Sequence, residues 1–505
     1  MRSFRHAPLA LALLLAACAA SPQERLAEAQ ASMTAHDYSA AQTGLAALLR
    51  EDPGNRAAAL LLAAAQVRLN DADGALGTLD RLGPATKDAP EAVHLRAEAL
   101  LIKGQPQEAL ALLGADASAE GLRIRANALV RDGRAAEAID LFEQGLRDAP
   151  SVRLAFDYGR LQVLASNPVG AARVLEALRK VAPGSYEALL LEGDLAALTG
   201  QSAAALKAFA AAAAKAPSRP EPLLAQAQVL ELAGRPAEAV TLVDKAAELP
   251  VIGSAVGVTR LRLAAAQGQW DKVVAQLQSQ ESMLAPESAD GLLYAEALLR
   301  AGRPEQARAL LVRVLQLQPG NLHVRRLAAE AELATGDGAR ALERLEPLLA
   351  VRYPERPVLE LAVKAAREAG DPVAGQLEAR LGSADYLAYE GHARAADAAV
   401  LKDDWATVAV SLRAMLALDG DPRGQAALAD ALLRSGDLAG AIVAADAALA
   451  SAPQDAGLLH LAAMARLRAG REANEAASLL RRGLALDPRN LDLIVALKTA
   501  EAAAG

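Results

Sequence analysis

A short polar turn recurs fourteen times along this chain, nearly always 33 or 34 residues after the last, between stretches rich in alanine and leucine. The turns open at His36, Asn70, Gly104, Gly133, Ser166, Gly200, Gly234, Gly268, Gly302, Gly336, Gly370, Asp403, Gly436 and Gly470, and the one short step is the 29 residues from Gly104 to Gly133. A unit of this length holds two helices and cannot build a core by itself, so it must bury its apolar face against the next unit. Glycine or asparagine at the opener suits a left-handed residue closing the first helix. Proline then recurs near the end of the second helix, at Pro53, Pro150, Pro183, Pro217, Pro319 and Pro453, where it stops one helix and prepares the next.

Five residues beyond the openers stands a small or β-branched side chain: Ala41, Ala75, Ala109, Ala138, Ala171, Ala205, Ala239, Val273, Ala307, Ala341 and Ala441. On these residues the period resembles the tetratricopeptide repeat, over roughly residues 21–499. The small eighth position of that family is matched by Ala97, Ala126, Gly159, Gly193, Ala227 and Ala295, its alanine at the twentieth by Ala109 through Ala307, and its large apolar twenty-fourth by Leu113, Phe142, Phe209 and Leu311. Small residues at two facing positions let paired helices approach closely. The resemblance implies an all-α fold, a tetratricopeptide-like α-solenoid of about fourteen helix pairs.

The chain also departs from the pattern. The family's early tryptophan and mid-helix tyrosine are mostly Ala, Leu or Val, and the two tryptophans, Trp270 and Trp405, are expected in turns. The short fourth unit points to a loss in its first helix or the loop before it, around Asp116 to Glu120. Between Pro347 and Lys402 the signals thin, with Gly375 in place of the expected alanine; a kink between two sub-arrays and simple repeat drift both fit. The expected organisation is a signal peptide at 1–17, a lipidated cysteine and linker at 18–24, an N-terminal array at 25–353, a degenerate region at 354–402, a C-terminal array at 403–499 and a tail at 500–505.

The chain is 53 % apolar but only 3 % aromatic. Alanine-rich stretches such as Ala210 to Ala214 favour helix yet bury little area per residue, so stability must accumulate over many interfaces.

Arg2 and Arg5 precede the apolar run Leu9 to Ala17, which is too short for a permanent membrane span and reads as an export signal. Leu15-Ala16-Ala17-Cys18 resembles the bacterial lipoprotein cleavage box, which implies a diacylglycerol thioether on Cys18 and acylation of its new amino group. A buried core cysteine is the alternative. Several acyl chains give the stable anchorage that one does not. Ala19 after the cysteine resembles the signal for release to the outer membrane of a Gram-negative cell, on its periplasmic face. With one cysteine in the chain, no internal disulfide can form.

Loss of Arg2 and Arg5 with the signal takes two from the 53 basic side chains, leaving 51 against 61 acidic and a net charge near −10. No long basic run or basic-aromatic platform appears, so nucleic acid is not an expected partner. The histidines His36, His94, His323, His392 and His460 are scattered over different units, and no pair has the spacing of a helical metal motif. No glycine-rich phosphate loop occurs either. The chain is expected to be no enzyme and to carry no metal or cofactor.

One column on the first helices is polar amid apolar neighbours: Gln30, Ala64, Glu98, Asn127, Arg160, Asp194, Gln228, Arg262, Glu296, Glu330, Lys364, Asp397, Asp430 and Ala465, the last less surely in register. In the family it resembles, this position faces a concave groove that accepts extended peptides or partner helices. Asn127 matches the groove asparagine that bonds a peptide backbone, and Arg131 lies one turn later, suited to a carboxylate. A merely solvated helix face is the other reading. Two functions stay open: a membrane-anchored envelope scaffold binding protein or peptide partners through the groove, resembling the long repeat lipoproteins of exopolysaccharide-secretion and protein-sorting systems; and a structural spacer or self-associating rod.

Overall fold

Each opener forms the hinge of a helical hairpin because its left-handed backbone lets the first helix close on itself and the second begin two residues later. In the computed structural model, which describes residues 21–83, 88–249, 255–280, 283–421 and 424–504, all fourteen openers have positive φ, including the non-glycines His36, Asn70, Ser166 and Asp403. At the second turn Asn70 N–H donates to Val67 O (3.1 Å) and Asp71 N–H to Gln66 O (2.8 Å), the paired bonds of a Schellman closure. The residue after the opener then caps the second helix. Asp37, Asp71, Asn167, Asp337, Asp404 and Asp437 each accept from the third backbone N–H beyond them. Where that position is Gln105, Arg235 or Arg303, proline follows as the first helical residue instead.

Among the described residues every regular element is helical, from α1 (Pro22–Thr34) and α2 (Tyr38–Glu51) to a last, unpaired helix α29 (Leu491–Ala504). The eleven small residues after the openers are all fully buried. The matched large residues Phe142, Phe209 and Leu311 are buried beside them. The close approach is physical: a β-carbon on Gly193 would stand 2.4 Å from Phe209 Cε1, and one on Gly159 would stand 2.3 Å from Leu191 Cδ2. Hence the array is an all-helical tetratricopeptide-like solenoid.

Three expectations are corrected in detail. The fourth unit keeps a full first helix, α7 (Ala119–Arg131, 13 residues), and the short step comes from the helix before it, α6 (Pro106–Leu113), which has 8 residues where α8 (Ala135–Asp148) has 14. Trp270 and Trp405 are the first residues of helices, not turn residues. Helix α1 starts at Pro22, fixed by a Ser21–Glu24 capping box inside the stretch read as linker, and α29 runs on through the stretch read as tail. Across 354–402 the repeats continue as α21 (Arg356–Ala369), a nine-residue α22 (Val373–Leu381) and a seventeen-residue α23 (Ala384–Val400). Gly375 is exposed there, and Leu377 is the buried residue of α22.

A simple rod would have its units touch only their neighbours, and this coil does not. At the N-terminal end the His36 ring lies 4.6 Å from that of Tyr186, and Arg219 stacks on Tyr38 at 5.0 Å. At the other end Lys498 pairs with Asp140 (2.6 Å), Asn167 donates to Thr499 Oγ1 (2.7 Å), and the fully buried Val495 joins the core cluster of Leu122 and Tyr158. Between them Trp405 Nε1–H donates to Gly200 O (3.0 Å) and Ser202 N–H to Asp403 (2.8 Å). The C-terminal units thus pack on the middle of the array.

Candidate interaction face

First helices of successive units touch one another, while second helices of successive units lie further apart, so the first helices line the inside of the curve. This is the face that carries the polar column. Much of the column ties unit to unit. Glu98, buried at 8 % exposure, meets Arg123 and Arg153 at 2.5 Å and Arg68 at 3.5 Å. Arg123, itself buried, also reaches Asp157 and Glu120 at 2.7 Å. Burial alone would raise the Glu98 carboxyl, but the three guanidiniums outweigh it and hold it far below the usual carboxylate range.

Asn127 donates to Asp157 (2.7 Å), and Arg131 donates to the Leu101 carbonyl (2.9 Å) that ends α5 (Pro90–Ile102). Both bonds cross to an adjoining first helix. Arg262 pairs with Glu231 (2.8 Å), Glu330 with Arg326 (2.5 Å) and with Arg300, and Glu296 approaches the same Arg300 at 3.6 Å. Asp430 pairs with Arg434 (2.8 Å) within its own helix.

Of the others, Arg160, Asp194, Gln228, Lys364 and Asp397 make no side-chain hydrogen bond or ion pair among the described residues; Lys364 and Asp397 stand apart and exposed. Three of them are consecutive. Arg160 on α9 (Val152–Leu164) lies over the Phe156 ring at 5.9 Å, Asp194 follows on α11 (Tyr186–Leu198), and Gln228 on α13 (Glu221–Leu232). Burial pushes the Asp194 carboxyl up, and Arg160 draws it partly back.

One helical turn beyond each stands a leucine: Leu164 (68 % exposed), the half-buried Leu198, and Leu232 (72 % exposed). Side chains four apart share a helix face. Units five to seven therefore present paired rows, one polar and uncommitted, one aliphatic. Sequence reading passed over the aliphatic row, although the recurrence of leucine two residues before Ser166, Gly200 and Gly234 records it. Cys18 lies outside the described residues.

Among the described residues no three His, Cys, Asp or Glu side chains cluster to hold a metal, and no helix is long and apolar enough to cross a membrane.

The tetratricopeptide-repeat family is matched at residues 32–99 and 298–364 by one profile and at 156–220 and 190–250 by another. Curated proteins give no match. Among solved structures the chain is similar to the anaphase-promoting-complex hetero-tetramer Cut9–Hcn1 (16 % identity, 98 % of this chain and 99 % of that one, TM-score 0.34). A tetratricopeptide repeat protein from Parabacteroides merdae is 18 % identical over 55 % of this chain and 98 % of its own, with a TM-score of 0.34. Human IFIT1, as a dimer with m7Gppp-AAAA, is 15 % identical over 78 % and 90 %, with a TM-score of 0.35. Repeat spacing, hairpin closure and these profile matches together make the chain a tetratricopeptide-repeat α-solenoid.

Proposed function

We propose that this chain is a lipid-anchored scaffold on the periplasmic face of the bacterial outer membrane, gathering protein partners of an envelope machine such as exopolysaccharide secretion. The observation that carries the binding half is the double row on units five to seven, where Arg160, Asp194 and Gln228 make no side-chain hydrogen bond or ion pair among the described residues and Leu164 and Leu232 stand exposed. An extended peptide or an amphipathic helix laid along the curve would bury the leucines and satisfy the polar row. The anchorage half rests on the basic start, the apolar run and the box ending in Cys18. A free spacer is a poorer reading, since contacts such as Lys498–Asp140 shorten the coil instead of extending it.

The two halves are tested separately. The chain lacking residues 1–18 should retain a saturable envelope protein, and Arg160→Glu combined with Leu232→Asp should abolish that retention; unchanged retention overturns the groove reading. Cys18→Ala should release the protein from the membrane fraction and lose incorporated palmitate. A membrane-bound Cys18→Ala protein would refute the anchorage.

A further inference from the structure

Beside the irregular eleventh unit lies a cavity of about 900 Å³, large for a surface that needs only to stack helices. Its walls include Leu348 at the end of α20 (Gly338–Leu349), Leu412, Met415 and Leu416 on α24 (Trp405–Asp419), and the stacked rings of Tyr353 and Tyr389, 4.4 Å apart. The nine-residue α22, five residues shorter than α8, and the lengthened α23 break the regular stacking at this place. Tyr386 secures the loop by donating to the Pro354 carbonyl (2.9 Å). The Tyr353 hydroxyl, in contrast, is buried with no hydrogen-bond partner.

The mouth is acidic. Glu355 and Asp419 border it, and neither forms an ion pair among the described residues. Arg326, the arginine of the wall, is committed to Glu330 at 2.5 Å, and Arg352 lies over the Tyr353 ring at 5.3 Å outside the lining. Burial pushes the Tyr389 hydroxyl up, and the carboxylates of Asp419 and Asp421 push it further, as expected in a negative field.

We infer that this cavity is a second docking site, separate from the double row on units five to seven, for a short apolar peptide segment carrying a lysine or arginine. Its apolar side chains would fill the space between Leu348, Leu412 and Leu416, and its cation would sit between Glu355 and Asp419. The inference deepens the partner-binding reading and rests on it, yet it involves none of the residues of units five to seven.

The test uses the full chain and a fluorescein-labelled nonapeptide with a Leu-Phe-Lys-Leu core, followed by anisotropy, against the same peptide with Glu for Lys. Saturable binding of the Lys peptide is expected, at least tenfold tighter than the Glu peptide. Met415→Trp, which crowds the apolar wall beside Leu412 and Leu416, should weaken binding at least tenfold. Glu355→Lys with Asp419→Lys, at the mouth, should reverse the preference, and this pair decides the matter if Met415→Trp fails to fold. Arg160→Glu with Leu232→Asp should leave binding unchanged, so failure at units five to seven and failure at the cavity are told apart. No saturable binding, equal affinity for the two peptides, or binding indifferent to both cavity variants would overturn the inference.

Discussion

Arg123 joins three successive first helices through one guanidinium: Glu98 on α5, its own helix α7 and Asp157 on α9. Replacing it with Met removes one partner of a buried network and keeps most of the volume. Breaking a buried pair in this way costs about 3–5 kcal/mol. The lower end applies, because Glu98 retains Arg153 and Asp157 retains Asn127. A solenoid's stability is a sum of neighbouring interfaces, so the loss should be local. Hydrogen exchange should then speed about 100-fold in α5, α7 and α9, the equivalent of roughly 3 kcal/mol, with the helices between Gly302 and Leu381, which do not touch these units, unchanged.

Acid adds an independent check with a definite sign. The folded Glu98 carboxyl lies below its unfolded value of 4.5, so its contribution is complete above that value and is lost as pH falls towards the folded one. Protection of α5 to α9 should fall steeply below about pH 4 in the native chain and less steeply in Arg123→Met. Arg123→Lys should be intermediate, because an ammonium cannot present the same fork to three carboxylates. Protection in Arg123→Met equal to that of the native chain, or lost evenly along the whole array, would refute this account of the network.

Gly193→Ala should cost about 1–3 kcal/mol by forcing the Phe209 ring off its seat 2.4 Å from the new methyl, seen as a lower thermal midpoint, and Phe209→Leu in the same chain should restore part of it. Val495→Asp with Lys498→Glu should detach α29 from the middle units and raise the radius of gyration in small-angle scattering; an unchanged radius would show that these contacts do not close the coil. Trp405→Ala, which removes the bond to Gly200 and the stack under Arg434, should loosen the same junction and quicken exchange around Ser202.

The repeat was legible because backbone chemistry writes it into a few residue types. Each opener needs a left-handed residue and each buried position after it needs a small one, and both recur with the period. The short unit was misplaced for a physical reason: a shortened second helix and a shortened loop shift the next opener by the same number of residues, and only the packing tells them apart. The polar column likewise cannot declare from spacing whether a side chain is spent on a neighbouring unit, as Glu98 and Asn127 are, or makes no hydrogen bond or ion pair among the described residues, as with Arg160 and Gln228. Contacts such as Asn167 with Thr499, 332 residues apart, depend on the accumulated twist of many units and leave no local mark. Thinning of the pattern near Gly375 did mark the place where α22 is cut short and the cavity lies.

The inner face of units five to seven is the centre of the functional account, and a photo-crosslinking side chain placed there tests it most directly. Installed at Leu198 or Leu232 in cells, it should trap the same envelope protein, with the product disappearing in Arg160→Glu, while the exposed Val443 on the second helix of a later unit yields none. Trapping at Val443 but not at Leu198 or Leu232 would contradict the account.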